Sequence, residues 1–316
     1  MADCGLLDII ISRLPGLSYP EKILLCETFS DESGFIRATK TEIESIIGRT
    51  LTGFWNTGAV RALAEKDEKT ARLRGINRVS WRNPAYPPLL REIYDPPPLL
   101  YFRGNLPDPE NPLVAIVGTR RPGPQAAAQT YGIAMDLGRG GLSVVSGLAI
   151  GIDGMAHRGN IDGGAPTFAV LGSGADEIYP WAYRPLARRV LETGGGLLTE
   201  YPPGTGPRKW NFPARNRIIS GLARGVLIAE APQKSGALIT ADFAMEQGRE
   251  LWVASEGIRP GTLYDRRGTE KLAGDGAPVL HTAAGIFKAW DREAPGSLNN
   301  TGEGCNSLAK LLGVEI

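Results

Sequence analysis

The sequence predicts an α/β protein in which a small all-helical domain precedes a Rossmann-like, doubly wound and mostly parallel sheet. Three observations lead to this prediction. Residues 5–72 show short amphipathic helical patterns, residues 113–290 alternate apolar strand patterns with helical ones, and a proline-rich stretch lies between the two regions. With 316 residues, the chain is long enough to bury a sizeable core and to contain more than one domain.

The first predicted domain, residues 1–75, is built from short helices. Pro20 falls at an early helical position, where the N–H that proline lacks would have no partner in any case. Thr39 is placed to cap a helix that ends at Gly48, and a longer amphipathic helix follows over residues 54–73. A helix–glycine turn–helix pair can bind a DNA backbone through exposed amides, but the balanced charge of this region favours a small packing module.

A proline-rich segment, residues 76–111, is predicted to be an extended connector that packs on the core. Its first residues, NRVSW, have the composition of a strand. The Rossmann-like domain is assigned to residues 112–290. Residues 291–316 form a C-terminal tail whose last stretch, CNSLAKLLGVEI, has the pattern of the first helix of a further domain.

Six apolar runs are predicted to be the strands of the Rossmann-like domain. Their continuous hydrophobicity is typical of strands that are buried on both faces of a parallel sheet. Helical patterns such as QAAAQTYGIAMDLGRG separate them, which is the βαβ alternation of a doubly wound fold. The runs occupy residues 113–118, 142–147, 166–172, 195–202, 225–231 and 250–255.

The composition argues against several classes of protein. Cys4, Cys26 and Cys305 are far apart and form no CxxC pair, so neither a disulfide framework nor a cysteine metal site is expected. With only two histidines in the chain, we expect no metal and no cofactor. No run approaches the roughly 18 apolar residues of a membrane span, and the first residues lack a basic n-region, so we expect a cytoplasmic protein without membrane contact.

Positive charge is concentrated in the middle of the chain. Residues 111–225 contain 12 Lys and Arg against 7 Asp and Glu, a net charge of +5, whereas the whole chain has a formal net charge of +1. A cationic middle favours a polyanionic partner, and an unevenly charged solvated surface is the alternative.

In an open parallel sheet, ligands bind beyond the carboxyl ends of the strands, and five predicted loops meet at that edge. The first loop lacks the GxGxxG fingerprint of a dinucleotide site, which argues against an NAD-dependent dehydrogenase. A glycine and a hydroxyl ahead of a helix still suit a phosphate. In the first three loops the candidate residues are Gly118, Thr119, Arg120, Ser146, Gly147, Gly172, Ser173, Gly174 and Trp181.

The fourth loop is strongly basic, and the fifth adds a lysine before a helix start. Cations alternate with Trp210 and Phe212 in the fourth loop, a pattern that suits single-stranded nucleic acid, because charges follow the backbone while rings stack on bases. A structural turn, or a loop fixed by its aromatic rings, is the alternative at any single site. The candidate residues are Lys209, Asn211, Phe212, Arg215, Asn216, Arg217, Lys234, Ser235 and Gly236. Residue patterns alone predict a polyanion or nucleotide site and do not choose between the two.

Asp153 and His157 lie four residues apart, on one face of a predicted helix. A hydrolase would use such a pair as a base and its orienting group. The alternative is that Asp153 caps its helix while His157 packs or makes a structural hydrogen bond. No residue is assigned a catalytic role.

Six longer motifs stand out along the chain. They are YPPLLREIYDPPPLLYFRG, SGLAIGIDGMAHRG, LGSGADEIYP, TEYPPGT, NFPARNRIISGLARGVLIAEA and KSGALITADFAMEQGRE, and they run through most of residues 80–260. In identity and order they resemble the DprA/Smf family of DNA-processing proteins. The N-terminal LPGLSYPEKILLCETF resembles, less distinctively, the family's helical SAM-like module, which is also helix-hairpin-helix-like.

The resemblance implies a Rossmann-fold homodimer that binds single-stranded DNA without cutting it. Such proteins protect incoming strands during natural transformation and help to load the RecA recombinase, and no enzymatic activity is implied. The family's DNA pocket falls on the loop residues given above. Arg215 and Arg217 are the expected phosphate contacts, and Asn216 is the expected helix cap or backbone partner.

This chain departs from the family pattern in the third loop. Members often carry a lysine where this chain has Trp181, so that Lys209 or Arg184 is expected to supply the phosphate contact instead. Many members also have a C-terminal winged helix, which would begin near the end of this chain.

An enzyme that acts on a nucleotide is the competing prediction. Phosphoribohydrolases of the cytokinin-activating type have a similar Rossmann-like core and a PGGxGTxxE pattern. The corresponding region here, KSGALITADFAMEQGRE, lacks the double glycine and places Glu246 differently.

Overall fold

A computed structural model describes residues 5–52, 55–260 and 263–295 of the chain. The N-terminal part is helical. Cys4, Cys305 and the predicted tail from residue 296 onward lie outside the described residues, and Cys26 is buried as a free thiol. The N-terminal helices are α1 Leu6–Arg13, α2 Tyr19–Thr28, α3 Glu32–Arg37, α4 Lys40–Ile47 and α5 Thr57–Leu73.

Capping residues set where these helices begin and end. Ser18 and Thr39 each accept a backbone N–H from the first turn, and a glutamate three residues on accepts the N–H of the cap, so α2 and α4 begin with capping boxes. Gly48 ends α4 in the left-handed region at φ 74°, as the sequence predicts. Helix α3 was not predicted, because six residues carry almost no periodic pattern, and its clearest signal is the cap Asp31.

The core is a single sheet of nine strands within the described part of the chain. The six predicted strands are all present, each shorter than its apolar run. The strands are β1 Asn77–Ser80, β2 Leu99–Gly104, β3 Leu113–Val117, β4 Val144–Ser146, β5 Phe168–Val170, β6 Gly196–Thr199, β7 Ala223–Ile228, β8 Glu250–Ala254 and β9 Val279–Leu280.

The strand order is β1-β2-β6-β5-β4-β3-β7-β8-β9. Strands β3 to β9 are all parallel, whereas β1 and β2 pair antiparallel at one end of the sheet. The chain winds outward from β3 in one direction through β6, and then returns beside β3 with β7. This doubly wound, Rossmann-like order confirms the predicted fold class and puts the switch point between β3 and β7.

The segment predicted as a proline-rich connector extends the sheet. Residues 76–111 contain β1, the short helix α6 Pro88–Arg91 and β2, and Tyr101 of β2 is fully buried. The prolines of this segment lie before and after β2 but not within it, so that none of them removes a ladder hydrogen bond from that strand. Proline content predicted an extended chain here but concealed the strand that follows it.

Helices cover both faces of the sheet. Leu113 and Val117 of β3 pack in one apolar cluster with residues of the helices that precede and follow β7. Val114 and Ile116 point the other way and pack with residues of the helices beside β3, β4 and β9. The core helices are α7 Pro124–Arg139, α8 Ile152–Asp162, α9 Arg184–Glu192, α10 Asn211–Leu222, α11 Gly236–Glu246, α12 Arg267–Gly274 and α13 Ala284–Ala289.

Because β3 to β7 are parallel, the loops that follow them lie at one edge of the sheet. The amino-terminal ends of α7, α8, α10 and α11 are at the same edge, since each helix begins after one of these loops. Unsatisfied N–H groups at helix starts favour negative charge there. The predicted candidate residues therefore fall along a single edge.

Candidate nucleic-acid interface

The loop after β3 is fixed through its backbone and leaves its cations in solvent. Thr119 N–H donates to the carbonyl of Glu230 at 2.7 Å, and the carbonyl of Thr119 accepts from Ile152 N–H at 3.2 Å. The Arg120 side chain is exposed, with its guanidinium 5.8 Å from the centre of the Phe212 ring. This loop thus presents two exposed arginines, Arg120 and Arg121, directly after a residue whose backbone is hydrogen-bonded on both sides.

Arg215 lies beneath the loops and joins the ends of two strands. Its Nη1 donates to the carbonyl of Gly147 at 2.8 Å and to that of Val170, and its Nε donates to Asn216 Oδ1 at 3.0 Å. Only glycine fits at position 147, because a Cβ there would lie 2.2 Å from Nη2 of Arg215. Burial lowers the pKa of Arg215 to about 10, and the nearby carboxylate of Asp153 opposes that shift.

Arg217 was predicted to contact phosphate, and its position corrects that prediction. The side chain is 2% exposed, and its Nη1 and Nη2 donate to the two carboxylate oxygens of Glu200 at 2.7 and 2.8 Å. Its Nε lies 2.9 Å from a carboxylate oxygen of Asp95. Burial acts to lower the pKa of Arg217, but Glu200, Tyr19 and Asp95 together raise it. The guanidinium is a buried structural cation with carboxylates on its donors.

The asparagines of α10 connect neighbouring loops. Asn211 Nδ2 donates to the carbonyl of Gly172 at 2.9 Å, and Asn216 Nδ2 donates to that of Gly236 at 3.0 Å. Asn216 lies in the interior of α10, so the alternative that it caps the helix is wrong and the backbone hydrogen bond is the correct one. Helix α10 thereby holds the loops after β5 and β7 at fixed distances.

The serines of the second and third loops are structural. Ser146 Oγ donates to the carbonyl of Ile116 at 2.6 Å and is fully buried, and Ser173 Oγ donates to the carbonyl of Glu177 at 2.5 Å. Neither hydroxyl is exposed for a ligand, which corrects the prediction for these two side chains. Gly174 N–H donates to the carbonyl of Thr205 at 2.8 Å and so joins the third loop to the fourth.

The loop after β7 presents an exposed lysine at a helix start. Ser235 is the N-cap of α11, and its Oγ accepts the N–H of Ala237 at 3.2 Å. Lys234 and Gly236 are exposed directly beside it. Among the residues that the structure describes, Lys234 has no hydrogen bond or ion pair, so its ammonium is available to an anion.

Exposed rings and cations lie on the loops that follow β3, β5, β6 and β7. We call this surface the rim; it comprises Arg120, Trp181, Lys209, Trp210 and Lys234. Trp181 is 71% exposed and Trp210 is 68% exposed. Each has a guanidinium over its ring, at 5.3 Å from Arg184 for the former and 5.7 Å from Arg208 for the latter.

Phe212 is half-buried. Its ring lies 5.6 Å from that of Tyr179, and Lys209 is exposed three residues before it. The rim therefore combines exposed aromatic rings with exposed positive charge.

Asp153 and His157 do not form a catalytic pair. The Asp153 carboxylate accepts the N–H groups of Gly147 and Ala149 at 3.1 and 3.3 Å, from the loop that precedes its helix. His157 is fully buried, with Nδ1 2.8 Å from Thr167 Oγ1. The Thr167 hydroxyl donates its hydrogen to a carbonyl, so it must accept from Nδ1–H, which leaves Nε2 as the bare nitrogen. The structural alternative for His157 is the correct one.

Within residues 5–52, 55–260 and 263–295, no group of three or more His, Cys, Asp or Glu side chains is placed to hold a metal ion. A search of the same residues found no helix with the length and apolar character of a membrane span.

Comparison with known proteins identifies the family. The sequence model described as DNA recombination-mediator protein A matches residues 77–291 of this chain. The chain belongs to this family, the DprA family. DNA processing protein DprA of Bacillus subtilis is 40% identical over 220 residues, which cover 69% of this chain and 72% of that protein. Protein Smf of Borreliella burgdorferi is 34% identical over 273 residues, which cover 86% of this chain and 82% of the relative.

Solved structures of DprA proteins share the fold. The X-ray structure of DprA from Streptococcus pneumoniae superposes with a TM-score of 0.71 at 34% identity, covering 90% of this chain and 98% of that one. A structure of DprA from Helicobacter pylori, which describes a single-stranded DNA binding mode, gives a TM-score of 0.61 at 29% identity, covering 69% of this chain and 97% of that one. These similarities confirm the resemblance that the motifs indicate.

Sequence reasoning missed the acidic residues of the DprA site. Glu200, Asp176 and Asp95 each accept hydrogen bonds or ion pairs from the loops and from α10. The available signal was the presence of acidic residues, Glu200 in TEYPPGT and Asp176 in LGSGADEIYP, next to the cationic fourth loop. Spacing gave no way to tell which cation each carboxylate meets, because the partners come from distant parts of the chain.

Proposed function

We propose that this chain is a single-stranded DNA-binding protein, and that the strand lies along the loops at the carboxyl edge of the sheet. The observation that carries the proposal is the rim, where exposed indole rings alternate with exposed cations. Trp181 and Trp210 supply the rings, and Arg120, Lys209 and Lys234 supply charge. The structure of DprA from Helicobacter pylori is described by its single-stranded DNA binding mode, which supports single-stranded DNA as the ligand.

The chemistry of the rim favours single strands over duplexes. Base–aromatic stacking contributes about 1–3 kcal/mol per base, and it requires base faces that a duplex conceals between its own stacked pairs. Lysine and arginine neutralise phosphates whether or not the bases are paired. Stacking therefore supplies the preference, while the cations supply much of the affinity.

Arg215 and Arg217 are buried and fix the shape of this surface from inside the protein. Arg215 holds the ends of β4 and β5 together, and Arg217 holds the start of the loop after β6 against α10. We assign phosphate contact to exposed cations such as Arg120 and Lys234 rather than to these two residues. Backbone N–H groups at the starts of α7 and α11 add to the positive potential.

Membership of the DprA family extends the proposal to the role of the bound strand. We propose a cytoplasmic homodimer that protects incoming single strands during natural transformation and helps to load the RecA recombinase onto them. Binding without catalysis is part of this proposal. His157 is fully buried and pairs with Thr167, while Asp153 accepts N–H groups from its own loop, and these contacts support that part.

The phosphoribohydrolase alternative has weaker support. Glu246 is the last residue of α11, whose eleven residues at 1.5 Å rise put it about 15 Å from the helix start. An acid that works on a nucleotide at the carboxyl edge of the sheet would need to lie near that start. Release of a free base from nucleoside monophosphates by the purified protein would support the alternative.

Fluorescence anisotropy with a labelled oligo(dT) tests the site. Arg120→Ala and Lys234→Ala each remove one exposed cation, and we expect each to weaken binding about 3- to 10-fold at low salt. Lys288→Ala removes an exposed lysine from the last turn of α13, at the opposite edge, and is expected to bind like the wild type. Equal affinity of all three variants and the wild type would contradict the site assignment.

A further inference from the structure

The N-terminal helices contact the loop that carries much of the rim. This loop, residues 200–210, connects β6 to α10 and contains Arg208, Lys209 and Trp210; we call it the basic loop. Most of its later residues are exposed. Two carboxylates, Glu200 and Asp176, fix it at separate points, and each is reached by a side chain from the N-terminal helices.

The first fixed point is at the start of the basic loop. Glu200 has a side chain that is 6% exposed and pairs with Arg217 of α10, so the two ends of the loop are joined across its base. Tyr19, at the start of α2, donates its hydroxyl to the same carboxylate at 2.6 Å. The Arg217 guanidinium also lies over the Tyr19 ring, 4.2 Å from its centre. Burial and then the charge of Glu200 raise the pKa of Tyr19, so this hydroxyl keeps its proton.

The second fixed point is in the middle of the basic loop. The Asp176 carboxylate accepts the N–H of Gly204 at 3.0 and 3.1 Å from its two oxygens. Only glycine fits at position 174, because a Cβ there would lie 2.7 Å from Asp176 Oδ1 and 2.8 Å from the carbonyl of Pro202. The third loop and the basic loop are thus in close backbone contact.

Asp176 itself is held from the N-terminal side. Arg74, at the end of α5, lies 3.7 Å from Asp176, whose side chain is only 5% exposed. The neighbouring Ala175 is fully buried in the apolar cluster of the N-terminal helices, together with Leu99 and Tyr101 of β2. The N-terminal helices therefore pack against the third loop and pair with the carboxylate that fixes the basic loop.

We propose that the N-terminal helices act as a positioning element, with Tyr19 and Arg74 holding the basic loop in the conformation that binds single-stranded DNA. The proposal rests on the proposed function for its ligand. A loop fixed before binding loses less conformational freedom when DNA arrives, and this saving appears as affinity. Tyr19 and Arg74 then contribute to binding without contacting DNA.

The test uses the full chain with Tyr19→Phe and Arg74→Ala combined. Loss of the two contacts is expected to speed tryptic cleavage after Arg208 and Lys209 in the free protein, because a released loop enters a protease more readily. The same variant is expected to bind oligo(dT) about 3- to 10-fold more weakly. Its midpoint of thermal unfolding should fall by only about 5 °C or less, because Arg217 still pairs with Glu200. Arg72→Ala, which removes an 80% exposed side chain from the same helix, is the matched control and should match the wild type in all three measurements.

A second double variant, Tyr19→Phe with Arg74→Lys, tests whether the charge at position 74 is sufficient or whether the guanidinium itself is needed. Lysine keeps the attraction to Asp176, so part of the wild-type cleavage rate and affinity should return. Unchanged cleavage, or faster cleavage with unchanged affinity, would overturn the proposal. If the wild type itself does not bind oligo(dT), the proposed function fails, and the cleavage rates still show whether the helices hold the loop.

Discussion

Arg215 and Arg217 stand two residues apart on α10 and carry the same charge, yet their surroundings differ. Arg215 donates to carbonyl oxygens at the ends of β4 and β5, while Arg217 donates to the carboxylates of Glu200 and Asp95. The two-residue spacing puts the side chains on different sides of the helix, which the sequence predicts. The spacing could not predict that both arginines are buried. An NFPARNR motif has the composition of a basic surface as long as the positions of its acidic partners are unknown.

Removal of Arg217 is expected to destabilise the whole domain. Arg217→Ala leaves Glu200 almost buried without its partner, and loss of one member of a buried pair costs about 3–5 kcal/mol of unfolding free energy. Urea denaturation measures this change, with Arg224→Ala on the exposed start of β7 as the control. A variant with wild-type unfolding free energy but lost DNA binding would show instead that Arg217 contacts phosphate.

His157 makes stability depend on pH. Burial, and secondarily the charge of Arg215, lowers the pKa of His157 to about 3. The unfolded chain takes up a proton below its ordinary pKa of about 6.5, whereas the folded protein does not, so stability should fall by about 1.4 kcal/mol per pH unit between pH 6 and 4 from this residue alone.

His157→Asn isolates this contribution from that of the carboxylates. Asn keeps a donor near Thr167 but does not titrate. The difference in unfolding free energy between wild type and variant should shrink as pH falls from 7 to 4. A constant difference over that range would contradict the assigned pKa direction.

At the scale of elements, the position of the candidate loops follows from the order and direction of the strands. Predicted β3 to β8 were recognisable as apolar runs, and parallel order brings their carboxyl ends together at one edge. Strand β1 was recognisable in NRVSW, whereas β2 was not, because proline clusters lie on both sides of it. The antiparallel pairing of β2 with β6 also puts the N-terminal helices close to the third and fourth loops, a proximity that residue spacing does not encode.

The loop after β5 offers a direct test of stacking against charge. Trp181 presents an exposed ring that carries no charge. Trp181→Lys should add about one phosphate contact, so the slope of log K against log salt should steepen by about 0.7 for single-stranded DNA. Affinity at high salt should fall, because the stacking contribution is lost.

Trp210→Lys is the matched variant, since Trp210 is similarly exposed on the basic loop. Anisotropy titrations from 50 to 300 mM salt measure both slopes. An unchanged slope and unchanged high-salt affinity in Trp181→Lys would place Trp181 outside the DNA path.

For the whole molecule, sequence patterns were sufficient to predict the fold class and to bring the candidate residues to one edge of the sheet. Glycine, hydroxyl and cationic residues after successive strands mark that edge because parallel strands end together. The patterns could not distinguish side chains that are free to contact a ligand from side chains that hold the loops in place. Ser146, Ser173 and Arg217 have the residue types of ligand contacts, but their polar atoms are hydrogen-bonded within the protein. The partners of Ser146 and Arg217 are distant in sequence, and that of Ser173 is four residues away.

In the folded chain, side-chain exposure distinguishes the residues that are free to contact a ligand from those that hold the loops. Lys234, Arg120 and the two tryptophans remain in solvent, whereas the polar groups beneath them are paired. A net charge of +1 for the chain gives little long-range attraction, so the local cationic stretch must supply the electrostatic part of binding.

The most direct test of the central claim is a competition between single-stranded and duplex DNA of equal length for the wild-type protein. Anisotropy at several salt concentrations gives both affinities and their salt dependence. We expect tighter binding to the single strand, and a preference that persists as salt rises, because stacking on Trp181 and Trp210 is not screened. Equal affinity for the two forms, or a preference that vanishes with salt, would contradict the account.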